Sequence, residues 1–201
     1  MMDEVDWLTH WRQVFADLDL VSAPSWRSRP TPTESHLSRL EGVIKCGLPA
    51  SYRAFVKVIG PGYLARSFKI FAPGYRGATV IDFLSNNKWQ EEEAGRRENP
   101  EQVRRLVAFA DFGYDYFVWD TGEVTDPAGP EYRIYYVPRQ HDEPLLRIND
   151  SFASFIQQDC LGGGYWGLIG GVWAETWEDD EGQVRSSRCF DPVCERPRSA
   201  V

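Results

Sequence analysis

Apolar residues in the first sixty positions recur at helical spacing and predict three helices. The first stripe predicts a helix over about residues 3–20 and consists of Val5, Leu8, Trp11, Phe15 and Leu18. A proline-rich connector, 22–33, follows, because proline has no N–H and keeps the residue before it out of the helical region. Thr31 and Thr33 can cap a second helix that Gly47 would end, and Pro49 and Gly60 bound a third.

The pattern changes after residue 67 to short β-like runs separated by turn residues. The predicted strands cover residues 68–71, 80–84, 103–110, 114–120, 132–138 and 145–148. A segment with charges of both signs, 87–98, predicts a solvated helix, and Ser151 with its two predecessors can cap a last helix that Gly162 would end. Helices, then strands, then a helix favour an α+β fold with a mainly antiparallel sheet and helices packed on one side.

Charge narrows the class of partner. The chain has 201 residues, of which 30 are acidic and 22 basic, so its net charge is -8. That charge disfavours direct binding to nucleic acid and favours encounter with a basic protein, although solubility alone could also explain it.

No apolar run reaches the roughly 18–20 residues of a membrane span, and the N-terminus lacks the pattern of a secretory signal, so we expect a cytoplasmic protein and no membrane partner.

Motifs for catalysis or metal binding are absent from the sequence. Cys189 and Cys194 are the one close cysteine pair, whereas zinc commonly needs two pairs, so we expect no metal site. The histidines His10, His36 and His141 have no recognisable partner set, and the glycine-rich 162–171 lacks the Lys-Ser/Thr pair of a phosphate loop. We therefore expect no catalytic residue and no cofactor, with a spatially assembled enzyme site as the open alternative.

Two acidic segments are candidate binding surfaces. The first, 111–131, contains no Lys or Arg, and its candidate partner-binding residues are Asp111, Asp115, Asp120, Glu123 and Asp126. The second, 173–181, offers an aromatic anchor beside acids, and its candidates are Trp177, Glu178, Asp179, Asp180 and Glu181. The alternatives are a half-buried sheet with solvated turns for the first segment and a tail tethered by tryptophan for the second.

Several motifs together resemble the SUKH superfamily, the fold shared with yeast cell-wall-assembly regulators. The resemblance begins with a helix ending in Leu40-Glu41 and continues through Leu48-Pro49, Tyr52 and Phe55. Further matches are a strand ending in Phe-Ala at 106–110, the aromatic strand 113–119 and a closing Ser-Phe helix at 150–155. The segments follow the family order over about residues 33–161, with Gly60-Pro61 in place of the family's Asn-Gly.

The resemblance implies both an organisation and a function. It implies a SUKH-like domain at 33–161, preceded at 1–32 by an extra helix and connector and followed at 162–201 by a Trp/Gly-rich extension that packs on the domain and frays at its end. Bacterial SUKH proteins are frequently immunity proteins for polymorphic toxins. We therefore expect a bacterial immunity protein that neutralises a cognate, basic, nuclease-like toxin domain encoded by a neighbouring gene. The alternative is an adaptor or regulatory protein-binding module unrelated to toxins.

Overall fold

The computed structural model describes residues 2, 4–21, 31–74, 88–113, 115–127, 129–138, 143–168, 171, 174–178 and 181–192. Several predictions lie outside these residues: most of the proline-rich connector, the strand at 80–84, the frayed end after Pro192, and the residues His141, Asp179, Asp180 and Cys194.

The described helices and strands include most of the expected ones, in the expected order, together with several that were not predicted. The helices are α1 (Glu4–Ala16), α2 (Glu34–Ile44), α3 (Ala50–Val58), α4 (Lys88–Ala94), α5 (Pro100–Arg105), α6 (Phe152–Ser154, which continues as a π-helix over Phe155–Cys160) and α7 (Gly164–Leu168). The strands are β1 (Asp19–Leu20), β2 (Gly62–Leu64), β3 (Phe68–Ile70), β4 (Leu106–Phe112), β5 (Asp115–Asp126), β6 (Glu131–Val137), β7 (Leu146–Asn149), β8 (Thr176–Glu178), β9 (Val184–Ser186) and β10 (Cys189–Pro192).

Local capping explains where α2 begins and ends. The hydroxyl of Thr33 accepts a hydrogen bond from the N–H of His36, whose imidazole accepts one from the N–H of Thr33. This reciprocal pair satisfies two N–H groups that a helix start leaves unpaired, so the predicted Thr33 cap is confirmed. The helix ends at a left-handed Lys45 with φ of 57°, two residues before the glycine that was expected to end it.

The main sheet has the strand order β1-β10-β2-β3-β4-β5-β6-β7. All its pairs are antiparallel except β1 with β10. The predicted α+β class with a mainly antiparallel sheet is therefore confirmed. The C-terminal β10 lies between β1 and β2, so chain segments on both sides of residues 33–161 share one sheet with them. A separate hairpin, β8–β9, completes the extension.

Side-chain alternation along β5 divides its residues between two faces. Phe117 and Trp119 point to the core, where Trp119 stacks on Phe109 with ring centroids 4.8 Å apart and meets Tyr52 edge-on. Tyr116 therefore points to the opposite face, and Trp89 of α4 stacks on it at 5.9 Å. We call this opposite face the outer face. Helix α4 partly covers this outer face, so helices lie on both sides of the sheet and not only on the core side.

Two predicted boundaries are wrong because a local signal was missed. The strand predicted at 103–110 begins only at Leu106, since Asn99 caps α5 by accepting a hydrogen bond from the N–H of Gln102 at 3.2 Å. The turn predicted after Asp120 is instead strand, and β5 continues to Asp126.

Strand β3 pairs with β2, which was not predicted, through a turn with φ of 46° at Ala65 and 65° at Arg66.

Candidate protein-binding surfaces

Asp120, a predicted partner-binding residue, is fully buried in the structure. The guanidinium of Arg105 donates to both of its carboxylate oxygens, at 3.0 and 3.1 Å. The side chain of Gln102 and the N–H of Gly122 donate to the same carboxylate at 3.2 and 2.9 Å. Asp120 is therefore an internal acceptor that holds α5 against the sheet, and the prediction of an exposed acid at this position is wrong.

Glu123 is half-buried and neutralised by neighbouring strands on the outer face. It accepts a hydrogen bond from the hydroxyl of Tyr135 at 2.9 Å and pairs with the guanidinium of Arg133 at 3.3 Å. Arg133 also pairs with Asp150, which binds Arg147 in turn. Alternating charges of this kind leave little net field at the surface, so Glu123 contributes little to steering a partner.

Asp111 lies on the outer face next to a lysine. In the strand register it is opposite Lys69 on one side and Tyr116 on the other. Burial raises the pKa of Asp111 from 3.8 to about 6, and the nearby Lys69 only partly opposes this effect. The carboxylate is half-buried, so it carries its charge at neutral pH at a cost in desolvation free energy.

The remaining acids of the first segment lie at the two ends of β5. Asp115, next to the β4–β5 turn, accepts a hydrogen bond from the hydroxyl of Tyr136 at 2.6 Å. Asp126 is opposite Glu131 at the far end of the strand. Glu131 itself is buried and accepts the N–H groups of Ser51 and Phe152. The five candidate acids of β4 and β5 therefore do not form one continuous patch.

The second acidic segment forms the β8–β9 hairpin, and its faces differ. Trp177 is half-buried, and the guanidinium carbon of Arg66 lies 3.3 Å from the centre of its ring. This cation–π contact anchors the hairpin to the β2–β3 turn. Glu178 follows Trp177 in β8, so its side chain points to the opposite face of the strand. It is exposed, as are Glu175 and Glu181. The tryptophan of the hairpin therefore contacts the rest of the molecule, whereas the carboxylates of the hairpin face solvent.

The histidines and cysteines among the described residues have structural roles. His36 belongs to the cap of α2, and His10 lies 2.7 Å from the amide of Gln157 and packs on Trp11. Cys46, Cys160 and Cys189 are free thiols, and burial raises the pKa of each. The described residues contain no group of three or more His, Cys, Asp or Glu side chains placed to hold a metal ion. Within the same residues, none of the helices has the length and apolar character needed to cross a bilayer.

The arginines that pair with the candidate residues are the feature of these surfaces that sequence reasoning missed. Arg105 and Arg133 flank the first acidic segment without belonging to it, and Arg66 is remote from the second. The alternation of β5 and β6 was a usable signal for Arg133, because a predicted antiparallel pair would place a base among the outer-face acids. No local spacing in the sequence indicates Arg66 or Arg105 as partners.

The chain was compared with models of known families. The model of the SMI1 / KNR4 family (SUKH-1) matches residues 31–158, which include α2, α3 and the strands from β2 to β7. Helix α1 and the β8–β9 hairpin lie outside the matched residues. A comparison with curated proteins finds no match to the chain.

Proposed function

The chain belongs to the SMI1 / KNR4 family (SUKH-1), and we propose that it is a bacterial immunity protein, which binds and neutralises a cognate toxin domain. Family membership carries the proposal, because SUKH domains are often immunity proteins. The roles of the described histidines and cysteines in caps and packing agree with a protein that binds a partner and does not catalyse a reaction.

The charge of the chain supports a basic partner. A net charge of -8 attracts a cationic protein and accelerates its encounter, and toxin domains that act on nucleic acid are commonly basic. The partner in this proposal is a basic, nuclease-like domain encoded by a neighbouring gene.

Within the described residues, the exposed side of the β8–β9 hairpin is the better-supported contact surface. Glu175, Glu178 and Glu181 are exposed there beside Val184, which is 72% exposed. An apolar side chain among carboxylates suits a protein partner with an apolar centre and a basic rim. The hairpin also lies outside the residues that the family model matches, where a contact specific to this chain would be expected.

Co-expression with the neighbouring gene tests the proposal directly. The chain should co-purify with the neighbour's C-terminal domain and should restore growth to cells that the domain otherwise kills. A neighbour that neither binds nor kills would refute the immunity role and would favour the adaptor role.

Charge reversal on the hairpin tests the contact surface. The variant Glu178→Lys with Glu181→Lys should slow association with the toxin domain about tenfold at low salt and reduce its salt dependence. The matched control is Asp17→Lys with Glu92→Lys, which changes the net charge equally at exposed positions elsewhere. Equal effects of the two pairs would assign the attraction to net charge and would exclude the hairpin as the contact.

A further inference from the structure

A cavity of about 540 Å³ lies on the outer face, between the α4–α5 connection and the segment leading into β7. Its apolar lining comes from Val103 of α5, the ring of Tyr135 of β6, and Leu145. The volume falls in the range of ligand pockets, roughly 300–1,000 Å³. Those candidate residues from the sequence that the structure describes do not line it.

Arg97 holds the two walls of this cavity together. Its guanidinium donates to the carboxylate of Glu93 at 2.5 Å, to the carbonyl of Pro138 at 3.0 Å and to the carbonyl of Glu143. The side chain is only 6% exposed, and its charge is balanced by Glu93, which is 10% exposed. Arg97 is therefore a cross-link with its charge already neutralised, and the cavity is preformed.

The other polar groups of the lining are largely engaged with neighbours. The hydroxyl of Tyr135 donates to Glu123, and the amide of Gln102 donates to Asp120. The exceptions are the carboxylates of Glu98 and Glu143, which are exposed at the rim and have no hydrogen bond or ion pair within the described part of the chain.

The rim therefore favours a cation. Among the described residues that line the cavity, Arg96 is the remaining base, so two carboxylates face one guanidinium there once the neutral Arg97–Glu93 pair is set aside. An apolar floor that contains an aromatic ring suits the methylene stem of a long basic side chain, and the ring also attracts a cation.

We propose that this cavity is a binding site for an arginine or lysine side chain presented by a protein partner. The inference rests on the proposed function, because it takes the occupant from a basic partner protein. The side chain lays its stem on the partly exposed Tyr135 and Leu145 and places its cation between Glu98 and Glu143. The cavity then contributes selectivity for one basic residue, whereas the hairpin contributes long-range attraction.

A titration without any toxin tests the cavity alone. The probes are the peptides acetyl-Gly-Arg-Gly-amide and acetyl-Gly-Gln-Gly-amide, added to the ¹⁵N-labelled full chain and followed by amide chemical shifts. The arginine peptide should give saturable shifts centred on Arg97, Val103 and Leu145, with at least threefold higher affinity than the glutamine peptide.

Substitution at the rim supplies the second arm. Glu98→Gln with Glu143→Gln should lower the affinity for the arginine peptide about threefold to tenfold, as expected for two partly solvated charge contacts. The matched control is Glu92→Gln, an exposed acid of α4 that does not line the cavity and should leave the affinity unchanged.

Three outcomes would overturn the inference: equal affinity for the two peptides, an unchanged affinity in the double variant, or shifts at the same amides with inorganic phosphate in place of the arginine peptide. Because no toxin is present, each of these outcomes leaves the immunity proposal standing. Conversely, specific arginine binding with no toxin complex would retain the cavity and refute the immunity role.

Discussion

Arg105 covers the buried carboxylate of Asp120 in a two-point contact between α5 and β5. The guanidinium is about half exposed, with 45% of the side chain accessible, whereas the carboxylate side chain is 0% exposed. Gly122 permits this approach, since a Cβ at that position would lie 2.5 Å from the Nε of Arg105. The geometry keeps the negative charge of Asp120 inside the protein and presents the arginine to solvent.

Removal of Asp120 should therefore destabilise the fold without directly removing a binding contact. Asp120→Ala leaves the donors of Arg105, Gln102 and Gly122 without their acceptor, at a cost of about 2–4 kcal/mol in the free energy of unfolding. Urea denaturation followed by tryptophan fluorescence measures the change. Glu92→Ala, at an exposed acid, is the control and should stay within about 0.5 kcal/mol of the wild type.

Glu131 should also contribute to stability, because it accepts N–H groups at the start of two helices. Its carboxylate accepts the N–H of Ser51 in α3 at 2.9 Å and the N–H of Phe152 in α6 at 3.1 Å. In Glu131→Gln, one of those N–H groups would face an amide donor, so we expect a loss of about 1–3 kcal/mol. Thermal unfolding measures the loss. Glu123→Gln, at a half-buried surface acid, should lose less than half as much, and equal losses would contradict the double-cap role.

Asp111 should make stability depend on pH in mildly acidic solution. Its pKa is raised to about 6 from 3.8, so between these values the folded chain keeps a proton that the unfolded chain has lost. Stability attributed to Asp111 is therefore full below about pH 4 and falls as pH rises to about 6. The carboxylate is partly solvated, so the expected change is only about 1 kcal/mol.

Comparison with Asp111→Asn isolates this effect from other titrating groups. The free energy of unfolding of the wild type minus that of the variant should decrease from pH 4 to pH 7 and then stay level. Urea melts at half-unit pH intervals measure the difference. An increase with pH would mean that Lys69 stabilises the charged carboxylate more than burial penalises it.

Trp177 should act as the anchor of the hairpin and not as a contact for the partner. In Trp177→Ala the cation–π contact with Arg66 is lost, at a cost of about 0.5–1 kcal/mol locally. Hydrogen exchange at amides of β8 and β9 should then accelerate severalfold, while exchange in β5 is unchanged. Arg66→Ala should reproduce the effect and Arg66→Lys should largely retain the protection. Unchanged exchange in Trp177→Ala would exclude the anchoring role.

Sequence reasoning succeeded where the relevant contact is local. The cap of α2 could be predicted from Thr33 as a cap residue, because a cap forms within one helical turn, here with the N–H of His36. The core face of β5 was predictable for the same reason, since Phe117 and Trp119 are two positions apart and therefore share one face of the strand. The missed helix α5 also had a local signal, because Asn99 followed by Pro100 is a cap residue before a proline at the first helical position.

The surroundings of the candidate binding residues were harder to predict, because the exposure of each side chain depends on residues distant in the sequence. The acidic character of 111–131 is real, but Asp120 is covered by an arginine from a preceding helix, and Glu123 is neutralised by Arg133 from the next strand. Trp177 is likewise engaged by Arg66, which is far away in the chain. A charge count over a segment does not report these pairings.

The sequence by itself determined the α+β class, the family and the net acidity of the chain, because composition, periodicity and motif order can be read along the chain without knowledge of its contacts. Tertiary structure decided which acids face solvent, how β10 enters the sheet between β1 and β2, and where the cavity beside Arg97 forms. The physical reason is that burial and charge neutralisation arise from contacts between residues remote in sequence, and the free energy of those contacts exists only once the chain has folded.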